Sequence, residues 1–295
     1  MARIKANGIE IEYEDAGRRG DPAILLVHGL GAQLTLWPQG LVDRLVQQGF
    51  RVVRFDNRDV GLSQKFEDYG VPDLPSLVMK VMAGEKIDAP YLLSDMAADA
   101  MALAHALEIA RPHVVGVSMG GMIVQQMASD FADRIASMTS IMSTSGRRGL
   151  PVGKPEAMKA LLTPPASNDR ETVVAHGVNL RQVIGSPGYP TPDAELRALV
   201  ERNVDRSFYP QGSARQYNAI LASGNRVKLL EQVKAPTLVI HGADDPVVPV
   251  EAGKDTAALV PKARLEVIAG MGHDLPAALL PKLTGLIAGH AKAAR

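Results

Sequence analysis

The chain has 295 residues, of which 46% are hydrophobic, and its 32 lysines and arginines balance 32 aspartates and glutamates. This length and composition suffice for a large core, and α/β enzymes of this size are often one domain. A net charge of zero without a basic patch gives no support for binding to nucleic acid or to an anionic membrane. The absence of cysteine excludes disulfides, thiolate metal sites and cysteine nucleophiles.

Several other classes of protein leave patterns that this sequence lacks. Residues 1–8 contain no apolar stretch typical of a secretory signal, and the longest uncharged stretch is interrupted by glycine, serine and glutamine. Neither the glycine patterns of nucleotide-binding loops nor a clustered metal-ligand spacing occurs. We therefore expect a cytoplasmic protein with no membrane insertion, no nucleic-acid partner, no metal and no other cofactor. The sequence leaves the oligomeric state open.

Predicted strands and helices alternate through the first half of the chain. Residues 9–14 alternate apolar and polar side chains, which is typical of a half-exposed antiparallel strand. Beyond them, short apolar runs predict buried strands and longer periodic segments predict helices. The predicted strands are 24–27, 52–55, 114–115 and 138–142, and the predicted helices are about 40–48 and 94–109. This alternation predicts a mostly parallel sheet with helices on both faces.

The pattern changes in residues 145–231, where prolines and glycines recur and no strong strand pattern occurs. Helical patterns such as 193–203 lie in this region, and the strand pattern resumes at Thr237. We expect a helical cap at 145–231, inserted between two parts of an α/β core at 1–144 and 232–295. Residues 64–93 form a second, smaller excursion from the sheet.

A serine stands at the abrupt turn between a predicted strand and a predicted helix. The run from Gly116 to Gly120 reads Gly-Val-Ser-Met-Gly, with Ser118 at its centre. Glycines on both sides avoid collisions with the neighbouring strand and helix, and the start of a helix favours a developing negative charge. An ordinary serine in a glycine-rich turn is the alternative. The strand–turn–helix context favours the nucleophile motif G-x-S-x-G and identifies Ser118 as the nucleophile.

A base and an acid suited to such a serine follow later in the chain. His273 lies in a glycine-rich loop after a strand-like segment, where an α/β sheet carries its site. Another predicted strand ends at Gly242 and leads into two adjacent carboxylates, Asp244 and Asp245. The spacing from Gly242 favours Asp245 as the group that orients His273, and leaves Asp244 solvated or capping the turn. The chain order of the three roles is Ser118, Asp245, His273.

A His-Gly loop follows the strand predicted at 24–27. Backbone amides of this loop would face the serine, and an oxyanion hole pairs one of them with the amide that follows the nucleophile. We therefore expect the amides of Leu30 and Met119 to hold the oxyanion. His28 is expected to brace the loop through a hydrogen bond rather than to move protons.

Five blocks together resemble the α/β-hydrolase superfamily over nearly the full length, and within it the aclacinomycin methylesterase-like esterases. The blocks are 28–31 (His-Gly-Leu-Gly), 56–63 (Asp-Asn-Arg-Asp-Val-Gly-Leu-Ser), 116–120, 242–246 and 270–273. The resemblance implies an α/β-hydrolase fold and ester hydrolysis through an acyl-enzyme without a cofactor. Many relatives carry glycine where Asp59 stands, while aspartate and asparagine are familiar there in the methylesterase-like branch, and the departure lies outside the proposed triad. Residues 146–233 resemble the family only in general character, so substrate preference does not carry over.

Apolar residues of the cap and the loops near it are candidates for the wall of a substrate pocket, with ordinary core packing as the alternative for each. They are Trp37, Met79, Met82, Met142, Met158, Leu161, Leu162, Tyr189, Phe208 and Tyr209. Such a wall favours small to medium apolar acyl esters or methyl esters. The sequence thus predicts a carboxylesterase-like serine hydrolase. Lactonase, carbon–carbon bond hydrolase and cofactor-free haloperoxidase or perhydrolase activity remain alternatives on the same triad, and a hydrolase-derived ligand receptor is the alternative from another class.

Overall fold

Eight strands form one sheet in the computed structural model, which describes residues 1–294. In chain order they are β1 (Ala2–Ala6), β2 (Ile9–Ala16), β3 (Ala23–Val27), β4 (Arg51–Phe55), β5 (His113–Val117), β6 (Ser137–Ile141), β7 (Thr237–Gly242) and β8 (Arg264–Ile268). Their order in space is β1-β2-β4-β3-β5-β6-β7-β8. The pairs β1–β2 and β2–β4 are antiparallel and all the others are parallel. The predicted mostly parallel sheet is confirmed.

Eleven α-helices lie within the described residues, and helices cover both faces of the sheet. They are α1 (Gln39–Gln47), α2 (Leu74–Met82), α3 (Leu93–Ala106), α4 (Met119–Asp130), α5 (Pro155–Leu162), α6 (Arg170–Ile184), α7 (Asp193–Arg206), α8 (Pro210–Ser223), α9 (Val227–Leu230), α10 (Val250–Leu259) and α11 (Leu280–Ala293). No helix of residues 1–294 is both long and apolar enough to cross a membrane.

The central strands divide their side chains between two halves of the core. All five residues of β3 are buried, as expected for a parallel strand covered on both faces. Leu25 packs with α3 and α4, whereas its neighbour Ile24 packs with α1 and α11 on the other face. Val114 and Val115 of β5 divide in the same way, because successive side chains of a strand point to opposite faces. Continuous apolar runs in the sequence therefore correspond to the middle of the sheet.

Both ends of the helix predicted at 94–109 differ from the prediction for local reasons. Helix α3 begins at Leu93 and ends at Ala106, instead of spanning 94–109. The Asp95 carboxylate lies within its first turn and accepts the Leu92 amide at 2.7 Å, so it satisfies a free amide from inside the helix. Glu108 has a φ of 59°, in the left-handed region, which ends the helix before residue 109. Strand β1, which pairs with β2, was not predicted.

The segment between β6 and β7 is helical, and it contributes no strand to the sheet formed by the described residues. It contains α5 to α9, and α7 covers the helix predicted at 193–203. Helix α6 packs against α5 and α7, while α8 packs against α2 and α3. Its Gln216 and Ile184 bond the Gly31 and His273 amides, in the loops that follow β3 and β8, so the segment lies over the carboxyl ends of these strands, where an open α/β sheet places its binding site.

Candidate active site

Ser118 occupies a strained turn between β5 and α4. Its φ is 56° and its ψ is −120°, a conformation that is rare for a residue with a side chain. A Cβ on Gly116 would overlap the carbonyl of Gly120, and a Cβ on Gly120 would overlap the carbonyl of Val27. Both flanking positions therefore require glycine, and the tight turn lifts the Ser118 side chain above the end of the strand.

The structure brings Ser118, His273 and Asp245 together from three separate loops. The Oγ of Ser118 lies 3.0 Å from Nε2 of His273, and Nδ1 of His273 lies 2.7 Å from Oδ2 of Asp245. The Asp245 side chain is completely buried, and that of His273 is 8% exposed. The three groups form one hydrogen-bonded chain from carboxylate to hydroxyl, which is the arrangement that polarises a serine for attack.

The two oxygens of Asp245 have separate partners. Oδ1 accepts the amides of Val247 and Val248, each at 2.9 Å, which leaves Oδ2 to face His273. The adjacent Asp244 is exposed and accepts the Gly270 amide at 2.8 Å, so it stabilises the histidine loop from outside. Successive residues leaving a strand point to opposite sides, and only Asp245 meets His273.

The loop after β3 lies directly against the nucleophile turn. A Cβ on Gly29 would stand 3.1 Å from the Cβ of Ser118, so the two backbones approach closely at that point. Leu30 follows Gly29 in this loop, and Met119 is the first residue of α4, where the amide has no carbonyl one turn earlier to bond. Both positions suit amides that would face an oxyanion beside Ser118.

His28 braces this loop in a neutral state. Its Nδ1 accepts the amide of Gly29 at 2.7 Å, and its carbonyl accepts the side-chain amide of Asn57 at 3.0 Å. Burial, with a smaller effect from the charge of Arg181, lowers the pKa of His28 to about 3. A histidine that stays unprotonated at neutral pH can accept a hydrogen bond from the backbone but supplies no proton there.

Comparison with known proteins places this geometry in a family. The sequence profile of the alpha/beta hydrolase fold matches residues 22–276. The chain belongs to the alpha/beta hydrolase family. The rhodomycin D methylesterases DauP of Streptomyces sp. (strain C5) and DnrP of Streptomyces peucetius are 27% and 28% identical to it, over 99% of this chain and 98% of theirs. The predicted likeness to the methylesterase branch is confirmed.

A solved structure gives the same result for the fold of this alpha/beta hydrolase. The meta-cleavage product hydrolase CumD from Pseudomonas fluorescens IP01 superposes with a TM-score of 0.78, covering 100% of this chain and 98% of CumD. Its sequence identity of 22% supports a shared fold and nothing more specific. The α/β-hydrolase fold expected from the sequence is therefore confirmed.

Helix α8 of the hydrolase reaches across to the loop after β3 through Gln216, which is completely buried. The side-chain oxygen of Gln216 accepts the Gly31 amide at 2.8 Å, and its nitrogen donates to the Arg58 carbonyl at 2.7 Å. One amide group thus ties the loop that carries Leu30 to the block 56–63. Sequence reasoning missed Gln216, since only the fold brings it near a loop 185 residues away.

Asp59 forms a buried network. Its carboxylate bonds the Arg215 guanidinium through two contacts of 2.8 Å and the Tyr91 hydroxyl at 2.7 Å. Asp59 has a φ of 69°, and burial and the neighbouring carboxylate strongly raise the pKa of Tyr91. The network joins α8 to the core beside Gln216, so it helps to attach the inserted segment to the core.

A cavity of about 690 Å³ lies beside the loop after β3 and under the inserted helices. Four of the predicted wall residues line it, namely Leu161, Leu162, Phe208 and Tyr209. Leu30 also contributes to its wall, so the cavity adjoins the position assigned to the oxyanion hole. The size suits a small to medium substrate body.

The other six predicted wall residues lie elsewhere, which corrects the prediction for them. Trp37 and Met142 are completely buried in the core that packs against α1 and α11. Met158 packs in a small cluster beside Gly153, Tyr189 packs against Gly270, and both Met79 and Met82 are exposed on α2. Apolar character alone does not distinguish a residue that faces a cavity from one that faces the core.

No group of three or more potential ligands among residues 1–294 could hold a metal ion. The remaining histidines that lie near the sheet have structural contacts. His241 donates from Nε2 to the Val248 carbonyl at 2.8 Å, and burial lowers its pKa. His113 lies 2.8 Å from the Ser137 hydroxyl.

Proposed function

We propose that this alpha/beta hydrolase is a serine esterase that cleaves small to medium carboxylic esters, methyl esters among them, through an acyl-enzyme. The observation that carries the proposal is the unbroken chain of hydrogen bonds from Asp245 through His273 to Ser118. The class of enzyme predicted from the sequence, a carboxylic ester hydrolase, is also that of the methylesterase relatives.

In the first half of the reaction His273 acts as the base. Nε2 takes the proton of Ser118 as Oγ attacks the ester carbonyl, while Nδ1 keeps its proton in the hydrogen bond to Asp245. The buried carboxylate stabilises the imidazolium that forms. The amides of Leu30 and Met119 hold the oxyanion of the tetrahedral intermediate. His273 then protonates the leaving alcohol and an acyl-serine remains.

In the second half water replaces the alcohol. His273 takes a proton from water, which attacks the acyl-serine carbonyl, and the carboxylic acid leaves when Ser118 regains its proton. Every proton passes through one imidazole, so the reaction needs no cofactor. The helices of residues 145–231 act as the cap that supplies most of the wall around the substrate body, since α5, α6, α7 and α8 all contribute to the cavity.

The experiment is a comparison of the wild type with Ser118→Ala. The wild type should turn over methyl and p-nitrophenyl esters many times, and a fluorophosphonate probe should label Ser118. Loss of the nucleophile should lower kcat by about 10⁶-fold while the fold persists, because members of a triad act as a unit. Labelling of another serine, or full activity in the variant, would contradict the proposal.

A substrate panel separates ester hydrolysis from the neighbouring chemistries. Methyl esters, lactones and vinylogous diketones should be offered at equal concentration, with halide and peroxide added in a separate arm. Esters should give the highest kcat/KM. A clear preference for lactones or for carbon–carbon bond cleavage would reassign the reaction, and a protein that stops after a few cycles on every compound would behave as a receptor.

A further inference from the structure

Arg181 of α6 is a cation on the wall of the cavity without a contact partner. It lines the cavity and is half-buried there. Among the described residues no side chain bonds its guanidinium, and the Asp274 carboxylate acts on it only through space. Arg58 and Arg215, which are buried, instead pair with carboxylates, Asp99 at 2.6 Å and Asp59 at 2.8 Å.

The surroundings of Arg181 make an unpaired cation costly. Most of the cavity wall is apolar, including Leu161, Leu180, Val200 and Phe208. Burial lowers the pKa of Arg181, although a guanidinium remains protonated in proteins. Arg181 is half-buried, and with no side-chain partner among residues 1–294 its guanidinium is open to an anion that enters the cavity.

The nearby carboxylate does not neutralise this charge by contact. Asp274 is already hydrogen-bonded by the Ser186 hydroxyl, and burial raises its pKa. Asp73, the acidic residue on the cavity wall, caps α2 by accepting the Ser76 amide and is exposed. The anion that suits Arg181 must therefore come from a bound molecule.

The charge of Arg181 is also felt at the loop that would hold the oxyanion. It contributes to the lowered pKa of His28, which directly precedes Gly29 and Leu30. Arg181 and Leu30 line the same cavity of about 690 Å³, so an anion bound by Arg181 would share this cavity with an ester carbonyl held at Leu30. The size of the cavity therefore limits the separation between the anion and the ester carbonyl.

We propose that Arg181 binds a free carboxylate of the substrate, so that the preferred substrates are half-esters of short dicarboxylic acids. A guanidinium presents two parallel N–H donors that match a carboxylate. The proposal rests on the esterase function proposed above and specifies its substrate class. Hydrolysis breaks the acyl–oxygen bond of the ester with one water and yields the alcohol and a dicarboxylate. Arg181 positions the substrate and takes no part in bond cleavage.

The test compares half-esters with diesters in the same protein. Monomethyl and dimethyl esters of succinic, glutaric, adipic and suberic acids are hydrolysed near pH 7.5, and acid release gives kcat/KM for each. The wild type should prefer the half-ester over its diester by about 10- to 100-fold for at least one chain length, the range expected for hydrogen bonds to a charged group. Arg181→Met should lower this ratio to about one or below, and Arg181→Lys should give an intermediate ratio.

Arg170→Met is the matched control, because Arg170 lies on the same helix but pairs at the surface with Asp205 at 2.7 Å. Loss of an exposed pair costs little, so the wild-type ratio should persist in this variant. A wild-type ratio at or below one for every chain length would refute the proposal without any variant. An equal fall of the ratio in Arg170→Met would also refute it, since net charge would then be the cause.

The result also separates this proposal from the esterase function itself. If the wild type hydrolyses diesters and p-nitrophenyl esters but shows no preference for half-esters, only the assignment of Arg181 fails. If it hydrolyses none of these esters, the esterase function fails and the assignment of Arg181 fails with it.

Discussion

Replacement of Asp245 by asparagine should trap His273 in the wrong tautomer. Oδ1 of Asp245 accepts two backbone amides, from Val247 and Val248. An asparagine would keep its oxygen there and turn its NH₂ group toward Nδ1 of His273, which lies 2.7 Å from Oδ2. Nδ1 must then accept a hydrogen bond, so the ring proton moves to Nε2. In that state Nε2 cannot take the proton of Ser118.

The hydrogen bonds of Asp245 determine how much kcat should fall in Asp245→Asn. His273 can regain the productive tautomer, with the proton on Nδ1, only if the asparagine side chain flips. The backbone amides of Val247 and Val248 then face an NH₂ group, and each unsatisfied amide costs about 1–3 kcal/mol. The total of about 2–6 kcal/mol corresponds to a loss of about 30-fold to 10⁴-fold in kcat. We expect the upper end, in line with the loss of about 10⁴ seen for the equivalent change in a serine protease triad.

Asp244→Asn is the matched control, and the assay is kcat for both variants on one methyl ester at pH 8. Asp244 accepts only the Gly270 amide, and an asparagine oxygen can do the same. Its loss should stay within about 10-fold, because no proton transfer depends on this residue. A larger loss of kcat in Asp244→Asn than in Asp245→Asn would show that Asp244, and not Asp245, orients His273. Small losses for both would show that His273 is oriented by another group.

Two further predictions concern the loop after β3. Gln216→Met removes the two bonds that tie this loop to the block 56–63 through α8, and should lower kcat by about 10- to 100-fold with little change in KM. Asn218→Leu on the same helix, which loses only a 3.2 Å bond to the Asp88 carbonyl, should lower kcat far less, and equal losses would contradict a positioning role. The pKa of His28 is about 3 in the folded protein and 6.5 in the unfolded chain. Acidification below pH 6.5 therefore protonates His28 in the unfolded chain first and lowers the free energy of unfolding. From pH 7 to 5 the wild type should lose about 2 kcal/mol more free energy of unfolding than His28→Asn, measured by urea denaturation; equal losses would show that His28 is protonated in the folded state.

The elements that depend on local geometry could be predicted from the amino-acid sequence. Gly116 and Gly120 stand where a Cβ would overlap neighbouring backbone, so the motif and the turn around Ser118 are one constraint. The periodicity of apolar residues predicted the central strands, because a parallel strand buried on both faces must be apolar throughout. The chain order of Ser118, Asp245 and His273 followed from the ends of those strands.

The contacts between residues that are distant in the chain could not be predicted from local patterns, because they depend on the packing of the whole fold. Gln216 bonds a loop 185 residues away, and no local pattern marks a buried glutamine for that role. Trp37 and Phe208 are both large and apolar, yet one is completely buried in the core and the other lines the cavity. The hydrophobic effect acts on area removed from water without direction, so it specifies that such side chains are covered and not what covers them. The packing of the inserted helices on the sheet determines which residues cover each apolar side chain. The same packing determines the shape of the cavity and leaves Arg181 without a side-chain partner among the described residues.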